Sequence, residues 1–127
     1  MPSDGGIIRK FAWAIAGLMA VIGEEQNMKI HLIAAAIAVG TGWILGLERV
    51  EWGLLFIAIT LVLMAEVINT AIERTIDLIA PQYHPLAEKA KNMAAGAVLL
   101  SALAAVILGV IVFGPHLLNI IALIIEQ

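Results

Sequence analysis

The sequence predicts an all-α membrane protein, with an N-terminal interfacial amphipathic helix followed by three transmembrane helices. Hydrophobic residues make up 62% of the 127 positions, compared with roughly 45–50% in soluble domains. The seven basic and ten acidic residues are too few to cover the surface of a soluble domain of this size. The apolar residues also form runs long enough to cross a bilayer, separated by short polar connections.

The element order predicts one integral-membrane domain over residues 1–127. Residues 7–25 are apolar with charged ends and are short for a span, which is typical of a helix lying along the lipid headgroups. Pro81 is expected to end the second span, and Gly114-Pro115 the third, because proline interrupts helical hydrogen bonding. The three spans are predicted at residues 30–47, 52–79 and 93–113.

The basic residues indicate the orientation of the chain. With three spans, the N-terminal segment and the connection after the second span lie on the same side of the membrane. That side carries six of the seven Lys and Arg residues. Cytoplasmic loops are enriched in these residues, so the sequence predicts a cytoplasmic N-terminus and an external C-terminus.

A polar face interrupts the apolar surface of the second span. It carries three carboxylates and one carboxamide, on Glu66, Asn69, Glu73 and Asp77. Because helical residues advance by about 100° each, these four side chains share one side of the helix. Ionisable groups are costly inside a bilayer and usually indicate function. Counted from Trp52, Glu66 falls just inside the cytoplasmic leaflet and Glu73 at the interface.

These residue types suit phosphoryl transfer to a lipid. A carboxylate at headgroup depth can accept the proton of a lipid hydroxyl. Carboxylates at the aqueous edge can bind Mg²⁺, which prefers oxygen ligands and often bridges to substrate phosphates. The lysines of the following connection can neutralise phosphate charge. No glycine-rich phosphate loop is present, and no long basic run suggests a nucleic acid partner.

Two other interpretations remain open on the residues alone. Rings of carboxylates line cation pores, so an ion-conducting oligomer could use the same helix face. Polar residues in a span also bind neighbouring helices, as they would in an interaction protein without catalytic activity. Cysteine is absent, which excludes a disulfide framework and a thiolate metal site.

Four segments occur in order along nearly the whole chain. They are residues 11–18, the pattern Glu25-x-Asn27-x-Lys29-Ile30-His31-Leu32, residues 66–77, and residues 83–85 with 90–100. These segments resemble the small prokaryotic integral-membrane lipid kinases, namely diacylglycerol kinase and the related undecaprenol kinases. The resemblance implies a homotrimer with sites shared between neighbouring subunits, ATP as co-substrate, and a location in the inner (plasma) membrane of a prokaryote.

The resemblance implies a role for each candidate site residue. Glu66 matches the general base for the lipid hydroxyl, and Glu25 and Glu73 match the carboxylates that bind Mg²⁺. The other matching positions are Asn69 and Asp77, which support the metal site, Lys91, which binds the ATP phosphates, and Trp13, Gln82, Tyr83 and His84, which line the nucleotide site.

Asn92 departs from the family pattern. The family usually has Lys-Asp where this chain has Lys91-Asn92, so a negative charge is missing from the nucleotide site. The chain is therefore either an active kinase that tolerates asparagine or a weak or differently tuned member. The expected lipid is undecaprenol, because the segments around His31 and residues 94–100 look more like that branch, with diacylglycerol as the alternative.

Overall fold

The computed structural model describes residues 6–126, which form four α-helices. Three of these helices, α2, α3 and α4, are long and apolar enough to cross a membrane. This confirms the predicted all-α class with three long apolar helices. The helices are α1 (Ile7–Glu24), α2 (Gln26–Leu45), α3 (Arg49–Ile79) and α4 (Pro85–Ile125).

The fourth helix is longer than the span predicted at residues 93–113. It has 41 residues and continues through Pro115, so the prediction that Gly114-Pro115 breaks the third spanning helix is wrong. An internal proline removes one N–H donor, but the neighbouring backbone groups in an apolar segment keep their helical bonds because no water can replace them. The helix also starts earlier, because Pro85 in the first turn has no helical N–H bond to lose.

The connection between α2 and α3 is short because both helix ends are well defined. Gly46 ends α2 with a φ of 68°, a left-handed conformation that favours glycine. The backbone N–H of Leu47 then donates to the carbonyl of Gly42 at 3.2 Å. A capping box starts α3, in which Glu51 Oε2 accepts a hydrogen bond from the backbone N–H of Glu48 at 2.8 Å.

The main apolar core lies near this α2–α3 connection. It is formed by Leu47, Leu55 and Val112, with Trp52 among the side chains packed against it. The connection and α3 pack closely against α2 here, since a Cβ atom on Gly42 would lie 2.7 Å from Leu47 Cδ1 and 3.2 Å from Cη2 of Trp52 on α3. From this core, α3 and α4 continue as a packed pair along the molecule, while α1 makes few contacts with the other helices.

Away from this core, large apolar side chains are exposed and several polar side chains are buried, the reverse of the arrangement in a soluble protein. Large apolar side chains on all four helices are exposed. Lipid tails solvate such side chains as well as a protein core does, so this surface fits a bilayer. The buried polar residues are Glu66, Asn69, Thr70 and Ser101.

Two polar contacts bracket the apolar part of the α3–α4 pair. At one end His116 Nε2 lies 2.9 Å from Glu51 Oε1, and at the other Lys91 forms an ion pair with Asp77. At about 1.5 Å per residue the two contacts are about 39 Å apart along α3 and about 38 Å apart along α4. A bilayer with its headgroups is about 40–45 Å thick, so the contacts fit its two interfacial levels.

Candidate active site

Glu66 is a buried carboxylate in the second half of α3, with 2% of its surface exposed. His31, Asn27, Glu25 and Glu73 lie within electrostatic range of this carboxylate. A carboxylate in this position can accept a proton from a hydroxyl group brought next to it.

Asn69 and Glu73 lie one and two turns further along α3. Asn69 Nδ2 donates a hydrogen bond to Glu73 Oε1 at 3.2 Å. The amide is therefore oriented, and its Oδ1 atom is buried without a hydrogen-bond partner in the described chain. Buried acceptors are normally paired, so this oxygen is available to a ligand. Amide and carboxylate oxygens are the donors that Mg²⁺ prefers.

Glu25 reaches this region from the connection between α1 and α2. It is the single non-helical residue between the two helices, with extended backbone angles of φ −95° and ψ 122°. Arg74 Nη2 donates to Glu25 Oε1 at 3.0 Å and to Glu24 Oε2 at 2.7 Å. Arg74 was not among the predicted site residues, and its place directly after Glu73 in the sequence does not by itself indicate this contact.

The carboxylates of the predicted metal ligands, Glu25 and Glu73, both lie within electrostatic range of Glu66. Within residues 6–126, no group of three acidic or histidine side chains is arranged to bind a metal ion. Two carboxylates nevertheless fit Mg²⁺, which usually takes one or two from the protein and the rest of its ligands from water and substrate phosphates. The donor set therefore fits a metal–nucleotide complex better than a metal bound by the protein alone.

A polar hollow of about 420 Å³ lies between the end of α3 and the start of α4. It forms because α3 ends before Pro81 and the chain reverses within the next few residues. The hollow brings together six residues that were predicted to belong to the site: Asp77, Gln82, Tyr83, His84, Lys91 and Asn92.

Side-chain contacts order the wall of this hollow. His84 Nδ1 caps α4 by accepting the backbone N–H two residues further along at 3.2 Å, and Tyr83 Oη donates to Glu88 Oε2 at 3.0 Å. Lys91 is held by its ion pair with Asp77. A phosphate group in the hollow could share this ammonium group with Asp77 or replace the carboxylate.

Trp13 lies apart from this hollow. It is half-buried on α1, whereas the residues lining the hollow all come from positions 76–92. A single chain therefore does not bring Trp13 together with the other residues predicted to contact the nucleotide.

An apolar groove of about 270 Å³ runs between α2, α3 and α4. Phe113 lines it near the apolar core, and His31 lines its other end, within electrostatic range of Glu66. Many of the other lining residues are alanines, which leave room for an apolar chain. A lipid tail in this groove would bring its polar end to the buried carboxylate.

These features together define a small membrane-embedded lipid kinase: apolar helices, a buried carboxylate, oxygen donors and a polar hollow at one end. The family model for prokaryotic diacylglycerol kinase matches residues 12–113, and the chain belongs to this family. The predicted family and the predicted class of enzyme are thereby confirmed.

Curated relatives of both branches are similar over most of this chain. Undecaprenol kinase of Bacillus subtilis is 38% identical over 109 residues, which covers 86% of this chain and 89% of that protein. A diacylglycerol kinase of Synechocystis is 37% identical over 115 residues, covering 90% and 66% respectively. Diacylglycerol kinase of Escherichia coli is 32% identical over 110 residues, covering 87% and 90%.

Proposed function

We propose that this lipid kinase transfers the γ-phosphate of ATP to the hydroxyl of undecaprenol, giving undecaprenyl phosphate. The observation that carries the proposal is the position of Glu66, which is buried one helical turn along α3 from Val62 at the apolar groove and one turn before Asn69. The groove suits the apolar tail of a prenol and ends at His31, so the hydroxyl of a lipid bound there would lie beside Glu66.

In the proposed reaction, Glu66 accepts the hydroxyl proton as the lipid oxygen attacks the γ-phosphorus. The bond between this phosphorus and the β–γ bridging oxygen breaks, and ADP leaves with the electron pair. Mg²⁺, bound by Glu25 and Glu73 with Asn69 and Asp77 in support, would neutralise charge on the phosphates. Lys91 contacts the phosphates from the wall of the hollow.

The nucleotide is proposed to occupy the polar hollow, against Gln82, Tyr83 and His84, with Asn92 beside its phosphates. Trp13 completes this site from a neighbouring subunit of a homotrimer, since it lies outside the hollow of its own chain. The orientation proposed from the basic residues puts this end of the molecule on the cytoplasmic side of the inner membrane, where ATP is available.

Undecaprenol is the preferred substrate in this proposal because the relative with 38% identity is an undecaprenol kinase, and the segment around His31 resembles that branch. Diacylglycerol is the second candidate, since the relatives at 37% and 32% identity are diacylglycerol kinases. Both lipids carry a hydroxyl on an apolar body, so the same carboxylate could serve either one.

A two-substrate assay tests this proposal. Purified wild type and Asn92→Asp would be given labelled ATP with undecaprenol or diacylglycerol in matched micelles. We expect wild type to prefer undecaprenol by at least about tenfold in kcat/KM, equivalent to about 1.4 kcal/mol. Asn92→Asp should change kcat by less than about tenfold and keep the same lipid preference, because Asn92 lines the polar hollow and not the apolar groove.

The results of this assay separate the alternatives. Preference for diacylglycerol would replace the proposed substrate. Transfer by Asn92→Asp alone would identify a kinase inactivated by asparagine at this position. Lack of transfer to either lipid by both proteins would contradict the proposed reaction.

A further inference from the structure

The two predicted metal-binding carboxylates are held in the same way. Glu73 Oε1 accepts a hydrogen bond from Asn69, and Glu25 Oε1 accepts one from Arg74. In the described part of the chain, these contacts restrain one oxygen of each carboxylate and leave the Oε2 atoms to other ligands. Metal-binding carboxylates are commonly oriented by such hydrogen bonds from groups that do not touch the metal.

Glu25 needs this support more than Glu73 does. Glu73 projects from within a continuous helix, whereas Glu25 lies at a connection where α2 begins without a side-chain cap. Among the residues of α1, only Val21 is buried, so apolar packing restrains this connection weakly. The contacts of Arg74 with Glu24 and Glu25 join the connection to α3.

We propose that Arg74 is a positioning residue for metal binding. Its contact with Glu24 anchors the guanidinium, and its contact with Glu25 Oε1 directs the free oxygen of Glu25 toward the metal shared with Glu73. This inference rests on the proposed function, because it requires a metal–nucleotide complex at these carboxylates. Loss of such an orienting contact typically weakens metal binding by about 10- to 100-fold.

The positive charge of Arg74 predicts the opposite result. A guanidinium repels a nearby cation, so if repulsion or competition for Glu25 dominated, removing Arg74 would strengthen metal binding. The Arg74 side chain is 45% exposed, and water and salt screen charges at such a site. Orientation should therefore outweigh repulsion, and the direction of the change separates the two effects.

The test uses the complex of Mn²⁺ with a non-hydrolysable β,γ-methylene analogue of ATP. Its binding to the purified full-length protein is followed by the electron paramagnetic resonance signal of Mn²⁺, without lipid. We expect Arg74→Gln to weaken binding by about 10- to 100-fold and Arg74→Lys to restore part of the loss. Glu24→Gln should weaken it by less than about tenfold, because Arg74 keeps its contact with Glu25.

Two controls make the result specific. Arg49→Gln changes an arginine at the opposite end of α3 and should leave Mn²⁺ binding unchanged. The metal-free analogue, measured in EDTA by isothermal titration calorimetry because it gives no Mn²⁺ signal, should bind wild type and Arg74→Gln equally, because Arg74 acts through the metal ligand. Circular dichroism and gel filtration show whether each variant is folded. If Arg74→Gln does not fold, Glu24→Gln and Arg74→Lys are used for the test instead.

Unchanged or tighter Mn²⁺ binding by Arg74→Gln would overturn the positioning role. An equal loss in EDTA would also overturn it, because the effect would then not depend on the metal. Phosphate transfer by wild type is measured separately. If wild type phosphorylates lipid while Arg74→Gln binds Mn²⁺ normally, the proposed function stands and the role of Arg74 fails. If wild type transfers no phosphate, the proposed function fails, and the metal titration still decides the role of Arg74.

Discussion

The two halves of α3 are held in place by different interactions. The half that begins at Arg49 is fixed by a capping box and by apolar packing of Leu55 against Leu47 and Val112. The half that contains Glu66 buries polar groups and reaches its neighbours through hydrogen bonds and ion pairs. One half joins the helices, and the other brings reactive groups together.

The residues that stabilise the fold and the residues that carry reactive groups therefore lie in different halves of α3. Burying a carboxylate costs free energy unless ion pairs and hydrogen bonds compensate for the lost water, so Glu66 is not expected to stabilise the fold. Residues such as Leu55 contribute packing and have no reactive group. Substitutions in the two halves should therefore change different measured quantities.

Glu66→Gln tests the polar half and should have the largest effect on activity. Glutamine keeps the size of the side chain but cannot accept the hydroxyl proton, so we expect kcat to fall by about 10²- to 10⁴-fold. The measurement is transfer of labelled phosphate from ATP to lipid. Glu126→Gln, at the C-terminal end of α4, is the matched control and should retain wild-type activity. Undiminished turnover by Glu66→Gln would remove Glu66 from its assigned role.

Lys91→Met tests the polar hollow. Loss of the ammonium group should raise KM for ATP by about 10- to 100-fold, because a hydrogen bond to a charged group contributes about 1.5–3 kcal/mol. The matched control is Lys89→Met, whose exposed side chain lies outside the hollow. Equal effects of the two substitutions on KM would indicate general attraction of the nucleotide rather than a specific contact.

Leu55→Ala tests the apolar half. It removes a side chain that is 5% exposed, and we expect a loss of about 2–4 kcal/mol in the free energy of unfolding. Unfolding by sodium dodecyl sulfate, followed by circular dichroism, provides the measurement. Phe56→Ala alters the adjacent residue, which is 71% exposed, and should change stability much less. A similar loss for both variants would mean that burial in the core is not what stabilises this half.

His116→Gln should have the smallest effect. It weakens the contact with Glu51 at the far end of the α3–α4 pair, and a partly exposed pair of this kind contributes about 1 kcal/mol or less. The same unfolding assay would detect the change, and kcat should equal that of wild type. A clear decrease in kcat would show that the two ends of the helix pair are coupled.

The polar face of α3 could be predicted because it depends only on helical periodicity. Glu66, Asn69 and Glu73 repeat at three- and four-residue intervals within an apolar run. The approximate end of α3 followed from Pro81 for a similarly local reason. The hollow was partly predictable, since a short turn after α3 must place Lys91 near Asp77.

Contacts between distant parts of the chain could not be predicted in this way. Arg74 meets Glu24 and Glu25 across about 50 positions of sequence, and no periodic pattern encodes such a pairing. The predicted break of the third spanning helix at Gly114-Pro115 was wrong because Pro115 was treated as it would be in water. In apolar surroundings the helical backbone has no alternative partners, so α4 continues.

The most direct test measures kcat and the free energy of unfolding on the same preparations of Glu66→Gln and Leu55→Ala. We predict that Glu66→Gln loses activity and keeps wild-type stability. Leu55→Ala should lose stability and keep wild-type kcat per folded molecule at saturating lipid, although Leu55 also lines the apolar groove and its removal should raise KM for the lipid. Parallel losses of activity and stability in both variants would contradict the separation of chemistry and packing along α3.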